Sequence, residues 1–499
     1  MDAPPLSALP AARPRAARPK SRLALALAAL ALALGAAAAA ILLLAGGSRH
    51  LVPAGGNHGD GFDPLAYRTQ DAPSLQAGAA ASLAHVVYVK SPGGIVASAA
   101  RTAALRPQIE AAAHDGPIDA DTLEAIVLLE SAGRTDVIGG TDPRDAVGVT
   151  QIVADTGSQL LGMRVDLPAS RRLGRQIAAA HARHDARRET RLRARRARVD
   201  QRFDPAASLA ATERYLSVAR ARFGREDLAV ESYHMGIGNL ERAVRLFAGS
   251  PATGAPVARL VADGRLDYAR LYFDSSPIDH PAAYRWLSQL GDDSATYLWR
   301  LQAAKAIMAA YRQSRAQLQR LAALHAGDFA EHVLLPPGSP TFDSPQAISA
   351  ARASGRLVAV PGAPQAARGG LAEAGDAALR PEALALALYL AAGVRAIAPG
   401  ATPLNLTFGA VDSADVGSAA RSAHGLFDGD PIHATGDAFD VERRYSTPAE
   451  AHAFQFMLDR LAALDIIAWA RRGPVIEVVV GPGARRLLTI LPASLRRGA

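Results

Sequence analysis

A long apolar stretch follows a short basic one at the start of the chain. Five basic residues lie within residues 1–22, and residues 23–45 carry no charge. A helix of that length would be ~34 Å long, enough to cross a bilayer. Basic residues before an apolar span predict a cytoplasmic tail, an inner-membrane anchor at 23–45 and a body exported to the periplasm or cell envelope. A cleaved signal peptide is the alternative, with the small residues 36–40 as its cleavage region.

Beyond the anchor, the spacing of apolar residues predicts two domains. Residues 46–99 begin with a stretch rich in Gly, Pro and Asp, and we assign them to a tether. In residues 100–330, apolar positions recur at intervals of three and four, which predicts a helical domain. Residues 331–376 are punctuated by Pro and Gly and predict a linker. Residues 377–499 remain as a smaller C-terminal domain.

The smaller domain combines both periodicities. Helices are predicted at 382–396 and 448–465, and β-like runs at Val475–Val480 and Leu487–Leu491. The predicted fold class is therefore a mainly α domain followed by a smaller α+β domain, behind one N-terminal transmembrane helix.

Composition excludes several kinds of chemistry. The 499 residues include no Cys, which excludes disulfides, Cys-ligated zinc, iron–sulfur clusters and a thiol nucleophile. Lys and Arg exceed Asp and Glu by 55 to 47, a net charge of +8, which suits anionic surfaces. Because the body is predicted to be exported, we expect no nucleic-acid partner.

Much of the positive charge is concentrated in one segment. Residues 171–202 contain twelve Arg and no Lys. Two interpretations stay open. The segment is either a solvated excursion from the helical domain, or an electrostatic platform for phosphate-bearing wall polymers or lipid head groups.

A glutamate at the end of an apolar helix is the first candidate for chemistry. Glu130 follows the run LEAIVLL, with Asp121 and Thr122 as the expected helix cap. Next to a core face, desolvation would raise the pKa of the carboxyl and keep it protonated near neutrality, as a general acid requires. The alternative is a carboxylate exposed at a helix end.

Two further motifs follow in order on the same helical background. Gly148-Val149-Thr150-Gln151 comes eighteen residues after Glu130, and Tyr233-His234-Met235-Gly236-Ile237-Gly238-Asn239 about a hundred after it. Together with Glu130-Ser131, this order resembles the SLT domain of lytic transglycosylases, whose fold is shared with goose-type lysozymes. The resemblance covers residues 115–245. Where this chain has His234 and Thr150, the family more often has Asn and Met.

The resemblance implies a lysozyme-like fold that acts on peptidoglycan glycan strands without a cofactor. It implies that Glu130 is the catalytic acid/base and that Tyr233 packs and hydrogen-bonds beside it. The residues it implies for substrate binding are Ser131, Gly148, Gln151, Tyr233, Gly236 and Asn239.

In this family one glutamate cleaves the MurNAc–GlcNAc bond and leaves 1,6-anhydro-muramic ends without consuming water. Glycosidases that hydrolyse the bond ordinarily use two carboxylates. A hydrolytic muramidase is therefore the first alternative, with Asp136, Asp142 or Asp145 as a partner carboxylate. A non-catalytic wall-binding scaffold is the second.

A possible metal motif lies in the smaller domain. His433 and Asp440 stand in the spacing H-x-x-G-x-A-x-D, which resembles the zinc D,D-peptidases that cut peptidoglycan stem peptides. That family has a final His near the C-terminus, and this chain has Glu477 near that position. The resemblance leaves three possibilities: a working peptidase, a metal-binding but inactive domain, or a degenerate domain that binds stem peptides. We expect at best weak zinc binding by His433, Asp440 and Glu477, and nothing in their spacing recommends His424 or Asp428 as substitutes.

Overall fold

The computed structural model describes residues 63–114, 116–250, 255–291, 293–325, 341–342, 344–359, 378–408 and 431–496. The predicted basic tail and the predicted anchor at 23–45 lie outside these ranges. So do His424 and Asp428. Among the described helices, none combines the length and the apolar character that a membrane crossing requires.

Helices make up most of the described chain before residue 330. Their bounds are α1 Ala72–Lys90, α2 Ile95–Ala103, α3 Arg106–His114, α4 Ala120–Ser131, α5 Leu167–Ala182, α6 Ala186–Val199, α7 Pro205–Phe223, α8 Glu226–Met235, α9 Ile237–Phe247, α10 Val257–Asp263, α11 Tyr268–Phe273, α12 Pro281–Ser288, α13 Tyr297–Gln313 and α14 Arg315–His325. This mostly helical body is consistent with the lysozyme-like α domain that the sequence predicts.

The second half of the predicted tether differs from the expectation. Residues 72–99 form α1 and the start of α2, and Ala79, Leu83 and Val87 of α1 are buried in the main core. The Ala-rich sequence of α1 gives little contrast between its faces. Its burial therefore depends on packing against α13 and α14, which local patterning does not show.

Helix α4 lies at the centre of the helical body. Its residues from Thr122 to Leu128 are all buried. Asp119, rather than the expected Asp121 and Thr122, caps its start by accepting a hydrogen bond from the Thr122 amide at 2.8 Å. Because the helix is apolar on nearly all sides, its C-terminal residues are carried directly to the edge of the core.

Helices α5 and α6 form an antiparallel pair, residues 167–199, that we call the arginine hairpin. The pair has a small core of its own, consisting of Leu173, Ile177, Ala180 and Leu192. The side chain of Arg171 joins it to Asp142 through two hydrogen bonds, at 2.6 and 2.7 Å. The hairpin is thereby attached to the loop that follows α4.

The remaining described chain is α+β, as predicted. It contains α15 Pro345–Ala353, α16 Pro381–Ile397 and α17 Pro448–Ala463, with strands β1 Val358–Ala359, β2 Ala378–Leu379, β3 Leu406–Phe408, β4 Ala438–Glu442, β5 Ile467–Arg472 and β6 Val475–Val480. Strands β3 to β6 form an antiparallel sheet in the order β3-β4-β6-β5. The register places Asp440 opposite Glu477.

One strand prediction is wrong. Leu487–Leu491 was expected to be β-like, but residues Pro482–Ile490 form a 3₁₀ helix. Ala484 and Leu487 of this helix and Leu491 directly after it are buried, and their spacing of three and four suits a helical turn rather than the two-residue alternation of a strand.

The α+β part shares its core with the helical part. Residues of α1, α13, α16 and α17 belong to one continuous apolar cluster. Buried Arg460 of α17 donates hydrogen bonds to the carbonyl oxygens of Tyr272 at 2.8 Å and Ser275 at 2.7 Å. The domain bounds drawn from the sequence stay a prediction, since most of 331–376 lies outside the described residues.

Candidate active site

A cleft of about 200 Å³ opens where α4 ends. Glu130 and Ser131 line it from α4, and Lys90 lines it from the end of α1. The opposite wall comes from α8, from the start of α13 and from the residues just before α13. The charged and aromatic residues of that wall are His234, Asp293, Tyr297 and Arg300.

Glu130 is partly exposed to this cleft, but protein groups crowd its carboxyl. Burial raises the pKa of Glu130 above its ordinary value near 4.5, while the nearby His234 and a hydrogen bond from Tyr297 pull the pKa down. The direction of the net shift is the one a general acid needs.

Tyr297 holds the Glu130 carboxyl. Its hydroxyl donates to Glu130 Oε1 at 2.9 Å, and its side chain is buried. The ring of His234 stacks on the Tyr297 ring, with centroids 5.3 Å apart and planes 5° apart. His234 Nε2 in turn lies 3.3 Å from Asp293 Oδ1. These contacts form a continuous line from Asp293 through His234 and Tyr297 to Glu130.

The three sequence motifs meet at the backbone of the Gly148–Gln151 turn. Ser131 Oγ donates to the Val149 carbonyl at 2.8 Å. From the other side, the Tyr233 hydroxyl donates to the Thr150 carbonyl at 2.7 Å and lies 3.1 Å from Thr212 Oγ1. The turn is thus clamped between the end of α4 and the end of α8.

Gly148 is required in this turn by close approach. Its φ is +80°, and a Cβ at this position would overlap the carbonyl oxygen of Arg202. The side chain of Arg202 is fully buried and bonds the Asp200 carboxylate through Nε and Nη2, each at 2.9 Å. Arg202 Nη1 also donates to the carbonyl oxygens of Asp145 at 3.2 Å and Ile152 at 3.1 Å, so the segments on both sides of the turn are fixed.

The structure divides the predicted substrate residues into two groups. Ser131 lines the cleft beside Glu130, whereas Gly148, Gln151, Tyr233, Gly236 and Asn239 are not among its lining residues. Gln151 Nε2 donates to its own turn at the Gly148 carbonyl, at 2.8 Å. Asn239 Nδ2 donates to the Met235 carbonyl at 2.9 Å across the break at Gly236. Their assignment to substrate binding stays a prediction.

The hydroxyl partner of Glu130 was missed from the sequence. The resemblance implied a hydrogen-bonding role beside the glutamate for Tyr233, but the phenol that bonds Glu130 is Tyr297. Asp293 and Arg300, which form an ion pair in the cleft wall, were missed as well. Tyr297 stands 167 residues after Glu130, and no local motif marks it.

The aspartates considered as partner carboxylates lie away from the cleft. Asp142 pairs with Arg171 and Asp136 with Arg193, both on the arginine hairpin. The Arg171 guanidinium holds the pKa of Asp142 at about 2. The carboxylates among the lining residues of the cleft are Glu130 and Asp293.

The candidate metal ligands of the smaller domain do come together. One possible ligand atom each from His433, Asp440 and Glu477 lies within 4.8 Å of the others, and all three side chains are buried. His433 Nε2 lies 3.2 Å from Asp440 Oδ1. Cross-strand pairing of Asp440 with Glu477 accounts for their proximity.

A guanidinium already neutralises part of this cluster. Arg472 Nε donates to Glu477 Oε2 at 2.6 Å. His433 and both acids are at most 1% exposed, whereas a catalytic zinc keeps a position open to water or substrate. The donor types suit zinc, but Arg472 competes with a metal for Glu477. The cluster therefore fits a buried charge network better than a catalytic metal centre.

Comparison with known proteins gives one family match. Residues 175–252 match the family model described as "Transglycosylase SLT domain". The matched range contains the arginine hairpin from Arg175 onwards and the Tyr233–Asn239 motif, and it begins after Glu130 and the Gly148 turn. No curated protein and no solved structure matches the chain. The family match supports a transglycosylase-type function on peptidoglycan, and it does not extend to the peptidase-like region.

The Tyr297 hydrogen bond generates a prediction about acidity. Tyr297→Phe keeps the buried ring but removes the donor that favours the Glu130 carboxylate, so the pKa of Glu130 should rise further. Carboxyl ¹³C NMR across a pH titration measures this directly. Tyr215→Phe is the matched control, because Tyr215 packs on Tyr233 but donates to the Ser232 carbonyl. An unchanged or lower pKa of Glu130 in Tyr297→Phe would contradict the assignment.

The metal cluster generates a second prediction. The wild-type chain should bind zinc at best weakly, and a chelator should leave its melting temperature unchanged. Arg472→Gln should let zinc stabilise the protein, by about 2.7 kcal/mol when zinc is at 100 times its dissociation constant. Arg471→Gln is the control, because Arg471 neighbours Arg472 on β5 and bonds Gln455 instead. Stoichiometric, stabilising zinc in the wild-type chain would show the prediction to be wrong.

Proposed function

We propose that this chain is a peptidoglycan lytic transglycosylase in which Glu130 alone serves as acid and base. The observation that carries the proposal is the environment of the Glu130 carboxyl. It lines a cleft near the turn at which the three motifs meet, and burial raises its pKa. The SLT family match supports the same class of reaction.

The reaction uses one carboxyl twice. Protonated Glu130 donates its proton to the glycosidic oxygen between MurNAc and GlcNAc as that bond breaks, so GlcNAc leaves with a hydroxyl. The Glu130 carboxylate then accepts the proton of the C6 hydroxyl of the same muramic acid residue, whose oxygen bonds to C1. The product is a 1,6-anhydro-muramic end, and the glutamate is again protonated.

Tyr297 suits both halves of this cycle. Its hydroxyl donates to Glu130 Oε1 and therefore stabilises the carboxylate that forms after the first proton transfer. Burial acts in the opposite direction and keeps the acid form accessible. The balance between these two effects is what lets one group act first as acid and then as base.

The groups that contact the Asp293 carboxylate favour the non-hydrolytic route. Asp293 is the second carboxylate of the cleft, but it forms an ion pair with buried Arg300 and lies 3.8 Å from Lys90 Nζ. His234 Nε2 lies 3.3 Å from the same carboxylate, so Arg300, Lys90 and His234 all surround it. A base that activates water in a hydrolytic muramidase would need a free carboxylate oxygen.

For residues 377–499 we propose a non-catalytic role in engaging stem peptides. The ion pair between Arg472 and Glu477 supports the absence of metal catalysis, because it supplies the charge that zinc would otherwise bring. The role on stem peptides rests on the sequence resemblance to D,D-peptidases alone.

We also propose a single-pass inner-membrane location, with the body in the periplasm or cell envelope. Support comes from the charge-free run at 23–45 behind five basic residues. A reporter fused after Ala499 should be active outside the inner membrane, and the chain should sediment with membranes. Recovery of a soluble form beginning near residues 40–46 would favour signal cleavage instead.

Glu130→Gln tests the assignment of the acid. The substitution keeps the shape of the side chain but removes its titrating proton, so release of muropeptides from sacculi should fall at least about 100-fold.

The same substitution tests the raised pKa of Glu130. Because the pKa is higher in the folded than in the unfolded chain, the wild-type protein loses stability as the pH rises from the unfolded pKa through the folded pKa. The variant should therefore be at least as stable as wild type at about pH 7, and the difference should vanish well below the ordinary pKa.

Glu110→Gln is the matched control, since Glu110 is an exposed helical glutamate that pairs with Arg106. It should retain near-normal release. Near-normal release by folded Glu130→Gln would contradict the assignment of Glu130.

A further inference from the structure

The arginine hairpin carries more positive charge than the whole chain does. Its residues 167–199 contain eleven Arg against two acids, a balance of +9, whereas the chain has a net charge of +8. Both acids are already occupied. Asp185 caps α6 through the Arg188 amide, and Glu189 bonds Arg193 and His181.

The arginines of the hairpin fall into two groups. Three of them make contacts within the fold. Arg171 pairs with Asp142 and Arg193 pairs with Asp136, while Arg196 stacks over the Phe203 ring at 3.7 Å. The other eight are exposed, and none has an ion-pair partner within the described ranges. They are Arg172, Arg175, Arg183, Arg187, Arg188, Arg191, Arg195 and Arg198.

Four of these exposed arginines surround one concavity. A cavity of about 380 Å³ lies between α5 and α6, and Arg172, Arg175, Arg183 and Arg188 line it. No acidic residue is among its lining residues. A guanidinium binds carboxylate or phosphate through two parallel hydrogen bonds, so four of them around a concave surface form a site for anionic groups.

The composition of the hairpin argues against two kinds of polyanion. Neither α5 nor α6 contains Phe, Tyr or Trp, so the stacking platforms typical of single-stranded nucleic-acid sites are missing there. The exposed large apolar residues of the described chain all lie outside the hairpin, and helices that lie in a lipid surface insert such residues. Recognition at this site would rest on charge.

The attachment of the hairpin points to the substrate of the cleft. Arg171 and Arg193 pair with Asp142 and Asp136, which belong to the loop directly after Glu130. Arg134 of the same loop lines the cleft. A glycan strand in the cleft carries stem peptides with free carboxylates along its length, and the hairpin is joined to the loop that lines the cleft at Arg134.

We propose that the concavity between α5 and α6 is a secondary binding site for the stem-peptide carboxylates of the peptidoglycan strand that occupies the Glu130 cleft. This inference rests on the proposed function, since it takes that function's polymer as its ligand. The site increases retention on the polymer and takes no part in bond cleavage.

The test measures binding of the full-length chain to purified sacculi in a Glu130→Gln background, so that the polymer stays intact. Changing Arg172, Arg175, Arg183 and Arg188 together to Gln should weaken binding about 10-fold at low ionic strength. The difference should disappear at about 1 M salt, where the Debye length is ~3 Å. The control changes four exposed arginines elsewhere, Arg68, Arg285, Arg320 and Arg395, to Gln and should weaken binding less than about 2-fold.

Two further probes identify the ligand. We call the fourfold Arg-to-Gln change in the concavity the pocket variant, and the Glu130→Gln protein its parent. Sacculi stripped of stem peptides by an amidase should bind both equally. Vesicles of phosphatidylglycerol should show no preference for the parent. Equal binding of pocket and control variants to intact sacculi would overturn the proposal, and so would a loss that persists on stripped sacculi or appears on vesicles. Failure of the proposed function alone would look different: Glu130→Gln would retain muropeptide release while sacculus binding still depended on the pocket arginines.

Discussion

Desolvation of the Glu130 carboxyl is the interaction on which the rest of the site depends. Helix α4 is buried from Thr122 to Leu128, and the glutamate at its end is only partly exposed, toward the cleft. Its proton is held more tightly than in an exposed glutamate, and the Tyr297 hydroxyl limits how far that shift goes. In this account, the surrounding helices matter because they hold the carboxyl at the edge of the core, partly exposed to the cleft.

The Gly148–Gln151 turn explains why three distant motifs occur in this order. Its carbonyl groups accept hydrogen bonds from Ser131 and Tyr233, which lie on two different helices. Gly148 allows the close approach of the Arg202 backbone, and the buried Arg202 side chain fixes the turn from behind. Motifs that are far apart in the sequence are therefore joined by hydrogen bonds at one turn.

Local sequence patterns were sufficient for features that depend on nearby residues. They predicted the helical character of the larger domain, helices α16 and α17, and strand β6. The grouping of Glu477 with His433 and Asp440 came instead from the resemblance to zinc D,D-peptidases. Local patterns failed where tertiary packing decides. Helix α1 looks like part of a tether because its Ala-rich surface has no marked polar face, and Tyr297 reaches Glu130 only through the fold.

The central claim is that Glu130 catalyses cleavage without water. The measurement that tests it most directly is mass spectrometry of the glycan ends that the full-length wild-type chain releases from purified sacculi. The account predicts 1,6-anhydro-muramic ends, each lighter by one water molecule than a hydrolysed end. Reducing muramic acid ends would contradict the claim, because they require attack by water, and an absence of released fragments would contradict the assignment of an enzyme.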